Sequence, residues 1–255
     1  MPLLEINALT RRFGGLIAVN DFNIELGDHE LVALIGPNGA GKTTVFNLIS
    51  GFYKPSEGYI RFNGQDTRGL RPHQVTALGV ARTFQGIRLW SEMHVLDNIR
   101  IAQHYRMGYS LLDCFLRTKN YMQHEKAIDD IAWKLLDAMG LKDVAYELPR
   151  NLPYGVQRRV EIARAMSVKP KLLLLDEPAA GLNSADVEDL IKLVKWIHET
   201  FRVTIWMIEH QMKVVMTLCS RIKVIDFGAT IADGTPEEIQ KNHTVIKAYL
   251  GDDTI

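Results

Sequence analysis

Residues 36–43 read Gly36-Pro37-Asn38-Gly39-Ala40-Gly41-Lys42-Thr43, and no other stretch restricts the possible folds so strongly. The pattern G-x-x-x-x-G-K-[ST] works as a phosphate cradle between a buried strand and a helix start. Both flanks fit. The apolar run Leu31-Val32-Ala33-Leu34-Ile35 precedes it, and the helix-like run Thr44-Val45-Phe46-Asn47-Leu48-Ile49 follows. That order aims successive backbone N–H groups and the positive end of a helix dipole at one point. The glycines let the main chain approach a phosphate with no Cβ in the way. Lys42 is spaced to reach β- and γ-phosphates, and the Thr43 hydroxyl to ligate Mg²⁺. The expected nucleotide-phosphate loop is therefore Gly36, Pro37, Asn38, Gly39, Ala40, Gly41, Lys42, Thr43 and Thr44. A dinucleotide-binding fold is disfavoured, because no G-x-G-x-x-G frame is present.

The remaining chain reads as one α/β domain of the P-loop NTPase class. Leu172–Leu175, Val203–Ile208 and Ile222–Ile225 are apolar almost throughout. Unbroken hydrophobicity suits parallel strands covered on both faces. The N-terminal part reads instead as antiparallel strands. Leu3–Leu9 and Val19–Leu26 alternate partly, Asn63-Gly64 is a hairpin signal, and Pro55-Ser56-Glu57-Gly58 is a turn. Val187, Leu190, Ile191, Val194 and Ile197 form a helical stripe, with Ser184 as its expected N-cap. From about Glu92 to Leu148 apolar residues recur at helical spacing. This predicts an inserted helical subdomain at about 86–167, within a core subdomain of about 1–85 and 168–255. No internal repeat or low-complexity tract interrupts the pattern.

Thirty basic and thirty acidic residues cancel, so no bulk charge draws the chain to nucleic acid. Cys114 and Cys219 stand alone, which suits plain thiols in a reducing compartment. The N-terminus lacks a signal-peptide pattern, and no apolar run reaches the roughly 18 residues of a membrane span. The expectation is a soluble, cytosolic chain.

Two further stretches carry chemistry. Leu172-Leu173-Leu174-Leu175-Asp176-Glu177-Pro178 delivers two carboxylates at the end of a buried strand, where ligands of parallel sheets bind. Asp176 is placed to hold Mg²⁺ through water, and Glu177 to orient or deprotonate an attacking water. The stretch from Asn151 to Ala165 opens a helix whose apolar stripe is Val156, Val160, Ala163 and Met166, with Pro170 beyond its end.

With this stretch in view, the chain resembles the ATP-binding cassette ATPases. Leu152-Pro153-Tyr154-Gly155-Val156 occupies the place of their L-S-G-G-Q signature, shortly before the Asp-Glu strand. Gln85, in Arg82-Thr83-Phe84-Gln85, looks like the Q-loop glutamine, which the resemblance makes a catalytic residue and a Mg²⁺ ligand beside Thr43 and Asp176. Ala180-Gly181-Leu182-Asn183 stands where the D-loop lies. His210 looks like the switch histidine, and Phe13 like the adenine-stacking aromatic. Phe13-Gly14-Gly15-Leu16, Gly51–Pro55, Arg82–Gln85, Asp176–Asn183 and Ala248-Tyr249-Leu250-Gly251 are similar to one subgroup. That subgroup is the larger ATP-binding subunit of bacterial importers for branched-chain amino acids.

The resemblance implies ATP and Mg²⁺ as cofactors and ATP hydrolysis that powers import. It implies a head-to-tail dimer with a second ATPase subunit, two membrane permeases and, indirectly, a periplasmic binding protein. Its expected place is peripheral, at the cytoplasmic face of the bacterial inner membrane. Lipopolysaccharide-export ATPases are similar in size but match the signature and D-loop less. DNA-repair members need long coiled-coil insertions and translation factors two cassettes, and neither is present.

The chain also departs from the family pattern. Pro153 replaces a serine that contacts the partner site's γ-phosphate, and Val156 replaces the usual glutamine. A proline suits a first helical turn, so the helix is expected to persist with one phosphate hydrogen bond fewer. Asn183 stands where aspartate is commoner, and Gln211 replaces an acid after the histidine. These departures keep a second reading open, a nucleotide-gated regulatory module with weakened hydrolysis.

Overall fold

The apolar runs become strands with every residue buried, and the alternating ones become a half-exposed antiparallel sheet. The computed structural model describes residues 1–106 and 108–250. In chain order, β1 (Leu4–Phe13) and β2 (Leu16–Leu26) form a hairpin, and β3 (Leu31–Ile35) leads through the phosphate loop into α1 (Lys42–Ile49). Next come β4 (Glu57–Phe62), β5 (Gln65–Asp66), α2 (Pro72–Leu78) and β6 (Val80–Arg82). The helices α3 (Val95–Ile101), α4 (Leu111–Leu116), α5 (Lys119–Ala138) and α6 (Tyr154–Met166) follow. The chain returns through β7 (Leu172–Asp176), α7 (Ser184–Phe201), β8 (Thr204–Ile208), α8 (Met212–Leu218) and β9 (Arg221–Asp226). It ends in β10 (Ala229–Gly234), α9 (Pro236–Gln240) and α10 (His243–Leu250). Contacts divide it into two units, Met1–Gln85 with Lys171–Ile255, and Gly86–Pro170.

In the first unit a six-stranded sheet has the order β10-β9-β3-β8-β7-β6. The pairs β9–β3, β3–β8, β8–β7 and β7–β6 are parallel, and β10 closes one edge antiparallel to β9. Strands β3, β7 and β8 are buried at every position, as expected of parallel strands covered on both faces. A four-stranded antiparallel sheet has the order β2-β1-β4-β5. One apolar core joins the two sheets through α1: Phe22 and Ile60, then Val45 and Phe46, then Leu174 and Trp206. The Trp206 ring is fully buried, edge-on to Phe46 at 5.5 Å and stacked on Phe22 at 6.3 Å. This mixed sheet with an antiparallel β layer is the architecture expected from the sequence.

Local details differ. Asn63 (φ 50°) and Gly64 (φ 78°) make the tight β4–β5 turn, the left-handed pair such a hairpin needs. The turn at 55–58 is shorter than expected, because Glu57 already pairs with Thr10 of β1. Ser184 is not the cap of α7. Asn183 is, its Oδ1 accepting from the N–H groups of Ala185 and Asp186 at 2.9 and 3.0 Å. Asn183 has the extended backbone of a cap (φ −75°, ψ 169°), so its side chain, not that of Ser184, faces both orphan donors.

The second unit is helical among its described residues. Val95, Leu96 and Ile99 of α3, Ile128, Ala132 and Leu135 of α5, and Val160, Ile162 and Ala163 of α6 are buried, and the three helices pack on one another. Asn98, fully buried, accepts from the N–H of Trp90 and donates to the carbonyls of Trp90, Met93 and His94. One amide thereby holds the irregular segment before α3. Cys114 is exposed and Cys219 buried, both unpaired. Among the described residues no helix is long and apolar enough to cross a membrane.

Candidate active site

The phosphate loop keeps the shape its glycines permit. Gly41 stands at φ 103° just before α1, and a Cβ there would lie 2.3 Å from the Ala18 carbonyl oxygen. Any other residue would push the loop from β2 and the helix from its start. Lys42 is buried and folds along the loop, its Nζ donating to the carbonyls of Gly36 (2.6 Å) and Pro37 (2.8 Å). Burial lowers the proton affinity of its ammonium, and Glu177 and Asp176 oppose that shift.

In front of the loop lies an open cleft of about 500 Å³. Asn38 to Thr44 form its floor, Gln85 and Glu177 one side, and Phe13, Leu16, Ile17 and Phe227 an apolar wall. Phe13 ends β1 and is 38% exposed, with Tyr53 edge-on at 5.2 Å and the Arg11 guanidinium 4.4 Å from its ring. Ile17 and Phe227 have no part in the sequence motifs, and Leu16 only as the end of Phe13-Gly14-Gly15-Leu16. Their only signal is apolar character beside turns, which many other positions share.

Strand β7 ends on the two carboxylates, and their environments diverge. Asp176 is buried against Arg82, with Nη2 to Oδ2 at 2.8 Å. Glu177 leaves the strand with φ 47° while its N–H still pairs with the Ile208 carbonyl at 2.9 Å. A left-handed glutamate costs of order 1–3 kcal/mol and persists where its surroundings over-determine it. The turn carries its carboxylate to the cleft. There Gln85 donates to Oε2 at 2.7 Å, and His210 Nδ1 lies 3.8 Å from the same oxygen. Gln85, Glu177 and His210, read from three distant stretches, meet at one oxygen. The hydroxyl of Thr43 belongs to an exposed residue at the cleft.

Behind them sits a residue the sequence reading passed over. Glu209 is fully buried; Oε1 accepts the N–H of Ala179 at 2.8 Å, and Oε2 accepts those of His210 and Gln211 at 2.9 and 3.0 Å. Gln211 donates its side-chain amide to the Ala179 carbonyl at 3.0 Å, a bond an acidic residue could not donate. Glu209 was hidden because it follows a buried strand and its three partners are backbone groups, which leave no trace in residue identity.

The signature-like residues belong to the other unit. Pro153 is not in the first helical turn but at the N-cap of α6, with no side-chain cap bond; its carbonyl accepts from Val156 and Gln157, each at 3.0 Å. Leu152, Gly155 and Val156 are half-buried, while Pro153 and Tyr154 are exposed. The Tyr154 hydroxyl accepts from Arg158 at 3.2 Å, and Arg158 pairs with Glu161 at 2.7 Å, both fully buried. Glu161 also accepts the Arg88 N–H at 3.3 Å. Asn183 caps α7 and does not line the cleft among the described residues.

Residues 19–180 match the family model described as ABC transporter, and residues 229–254 match that of the branched-chain amino acid ATP-binding cassette transporter. The chain is 45% identical over 251 residues to the high-affinity branched-chain amino acid transport ATP-binding protein BraF of Pseudomonas aeruginosa, covering 98% of each. It is 47% identical, with the same coverage, to the protein of that description named LivG in Escherichia coli. Among solved structures it matches a nucleotide-free ATP-binding cassette from an ABC transporter, with a TM-score of 0.86 and 28% identity over 99% of this chain and 100% of that one.

Proposed function

The chain belongs to the ABC transporter family as an ATP-binding ATPase subunit, and from that premise we propose that it powers import of branched-chain amino acids. Both relatives named above carry that description over their full length, and the match at 229–254 supports the same subgroup. The observation that carries the chemistry is Glu177 at the cleft edge, held by Gln85 and flanked by His210.

In this reading the loop from Gly36 to Thr44 takes the phosphates, and Phe13 stacks on the base. Lys42 exchanges the carbonyls of Gly36 and Pro37 for phosphate oxygens. Its ammonium, short of water where it lies, gains a charged partner by doing so. Glu177 orients the attacking water and takes its proton; Gln85 holds the carboxylate through its hydrogen bond, with His210 beside it. Thr43, Gln85 and Asp176 offer oxygen donors only, the set that suits Mg²⁺. When bound, that ion neutralises charge on the β- and γ-phosphate oxygens.

The partners follow from the same reading. A second ATPase subunit sits head to tail, with Leu152 to Val156 completing its site and Asn183 near the junction. Two permeases receive the chain at the cytoplasmic face of the bacterial inner membrane, and a periplasmic binding protein selects the cargo. The unit 86–170 serves as the helical subdomain. Its segment from Gly86 to Asn98, with Trp90 49% exposed, is the permease-docking surface. One observation favours a second reading, a nucleotide-gated module with slow hydrolysis: α6 starts on Pro153 with no side-chain cap.

Uptake of labelled leucine, isoleucine and valine in a strain lacking this gene tests the proposal. Uptake should fall and return with the wild-type chain but not with Lys42→Ala. Unchanged uptake in the deletion strain would refute the import function.

A further inference from the structure

Thr43 and Asp176, the proposed metal-facing pair, lie on different elements, the first turn of α1 and the end of β7. One buried side chain joins those elements. Arg82, the last residue of β6, has a side chain only 6% exposed. Its Nη2 donates to Asp176 Oδ2 at 2.8 Å. Its Nη1 donates to Asn47 Oδ1 at 2.8 Å and lies 3.4 Å from Ser50 Oγ. The Phe46 and Phe84 rings stand 5.6 and 5.0 Å from the guanidinium carbon. A planar fork bonded at both ends and bracketed by rings has little room to turn. Asn47 follows Thr43 by four residues, one turn along the same face of α1. The guanidinium is therefore a strut with the metal carboxylate at one end and the helix of the metal hydroxyl at the other.

We propose that Arg82 is a positioning residue that sets the spacing of Thr43 and Asp176, and through it the affinity for Mg²⁺-bound nucleotide. The inference rests on the reading of Thr43 and Asp176 as metal-facing groups. A contribution to stability does not explain the arrangement well. A buried ion pair is often no more stabilising than apolar residues of the same volume, and none is needed to hold β6 against β7, which already pair in parallel.

The test uses the full-length protein, with ATP and Mg²⁺ as probes. Two quantities are measured: ATP binding in excess chelator, and the Mg²⁺ concentration that half-saturates the ATP-dependent rise in melting temperature. Arg82→Lys keeps the charge and loses the fork. Asn47→Ala keeps the ion pair and removes the shorter of the two bonds to α1, leaving that to Ser50 at its C-cap. Outer partners of metal ligands commonly account for roughly 10–100-fold in metal affinity. Arg82→Lys should raise the Mg²⁺ midpoint within that range, and Asn47→Ala by a smaller factor, with ATP binding in chelator unchanged in both. Asn47→Ala keeps the question decidable should Arg82→Lys fail to fold. A wild-type midpoint in the folded variants overturns the inference. Asp176→Asn separates the two layers. If it shifts the midpoint and the other variants do not, the strut alone is wrong. If it shifts nothing, the metal role of Asp176 falls and the strut with it.

Discussion

The two places proposed to meet a γ-phosphate are built by opposite means. In the first unit, Glu177 stands on a strand end whose neighbours are fixed from behind: Arg82 on Asp176, Glu209 on three backbone N–H groups, Gln211 on Ala179. In the unit 86–170, the start of α6 carries Pro153 at the cap with no side-chain bond and an exposed Tyr154 in the next position. What braces that start comes from the helix itself: Arg158, paired with Glu161, donates to the Tyr154 hydroxyl, and Gln157 donates to the Leu152 carbonyl. Buried polar partners confer a fixed geometry; a helix start whose cap brings no side-chain bond offers a phosphate its backbone donors and dipole. On this contrast, the chain's own site should be the faster of the two.

Replacing the proposed base gives the largest expected effect. Glu177→Gln keeps the shape and the Gln85 contact but cannot take a proton. Turnover should drop about 10²–10⁴-fold with ATP binding intact, measured as ATPase rate and nucleotide affinity in the assembled complex. Near wild-type turnover would dissolve the contrast by removing its well-built half.

Repairing the helix start comes next. Pro153→Ser with Val156→Gln restores a hydroxyl toward charged phosphate, a bond worth about 1.5–3 kcal/mol. If that bond forms mainly in the transition state, hydrolysis should rise roughly 10–100-fold, and only at the partner site that this signature is proposed to complete. Silencing each site in turn by its base mutation isolates the two rates. A rise at this chain's own site, or none at the partner's, would show the two ends are not unequal in the way described.

The smallest effect concerns an edge of the well-built unit. Burial pushes the Asp233 carboxyl up, but its hydrogen bonds from Arg221 and Lys223 outweigh this and hold it below the ordinary carboxylate range. The folded state thus takes up this proton less readily than the unfolded chain. Its contribution is complete above the unfolded value of about 3.9 and fades as pH falls through the lower folded value. The stability gap between wild type and Asp233→Asn, read by denaturant titration, should be widest near neutrality and shrink in acid. A gap independent of pH would mean the charges do not stabilise this edge.

The fold was legible because it depends on runs. Strand β7 announces itself in four consecutive leucines, and the phosphate loop in fixed spacings that one segment contains. What stayed hidden depends on single residues and distant partners. Arg82 meets Asp176 across 94 positions, and Glu209 meets Ala179 across 30. Asn98 is one polar residue in a helical stretch, and only its three carbonyl partners give it meaning. Capping misled for a similar reason. Asn183 and Ser184 are both good caps by type, and backbone geometry alone chose the asparagine. Pro153 stands one position before the first helical turn that its residue type suggests, at the N-cap.

Glu209 also sets a clock. It ties down the N–H groups of Ala179, His210 and Gln211, while the imidazole of His210 remains about half exposed. The ring can therefore turn about its two side-chain torsions without the main chain moving. Exposed rotamers exchange in picoseconds to nanoseconds, whereas loops rearrange in nanoseconds to microseconds. A side chain mounted in this way answers a change in its surroundings long before any segment could follow.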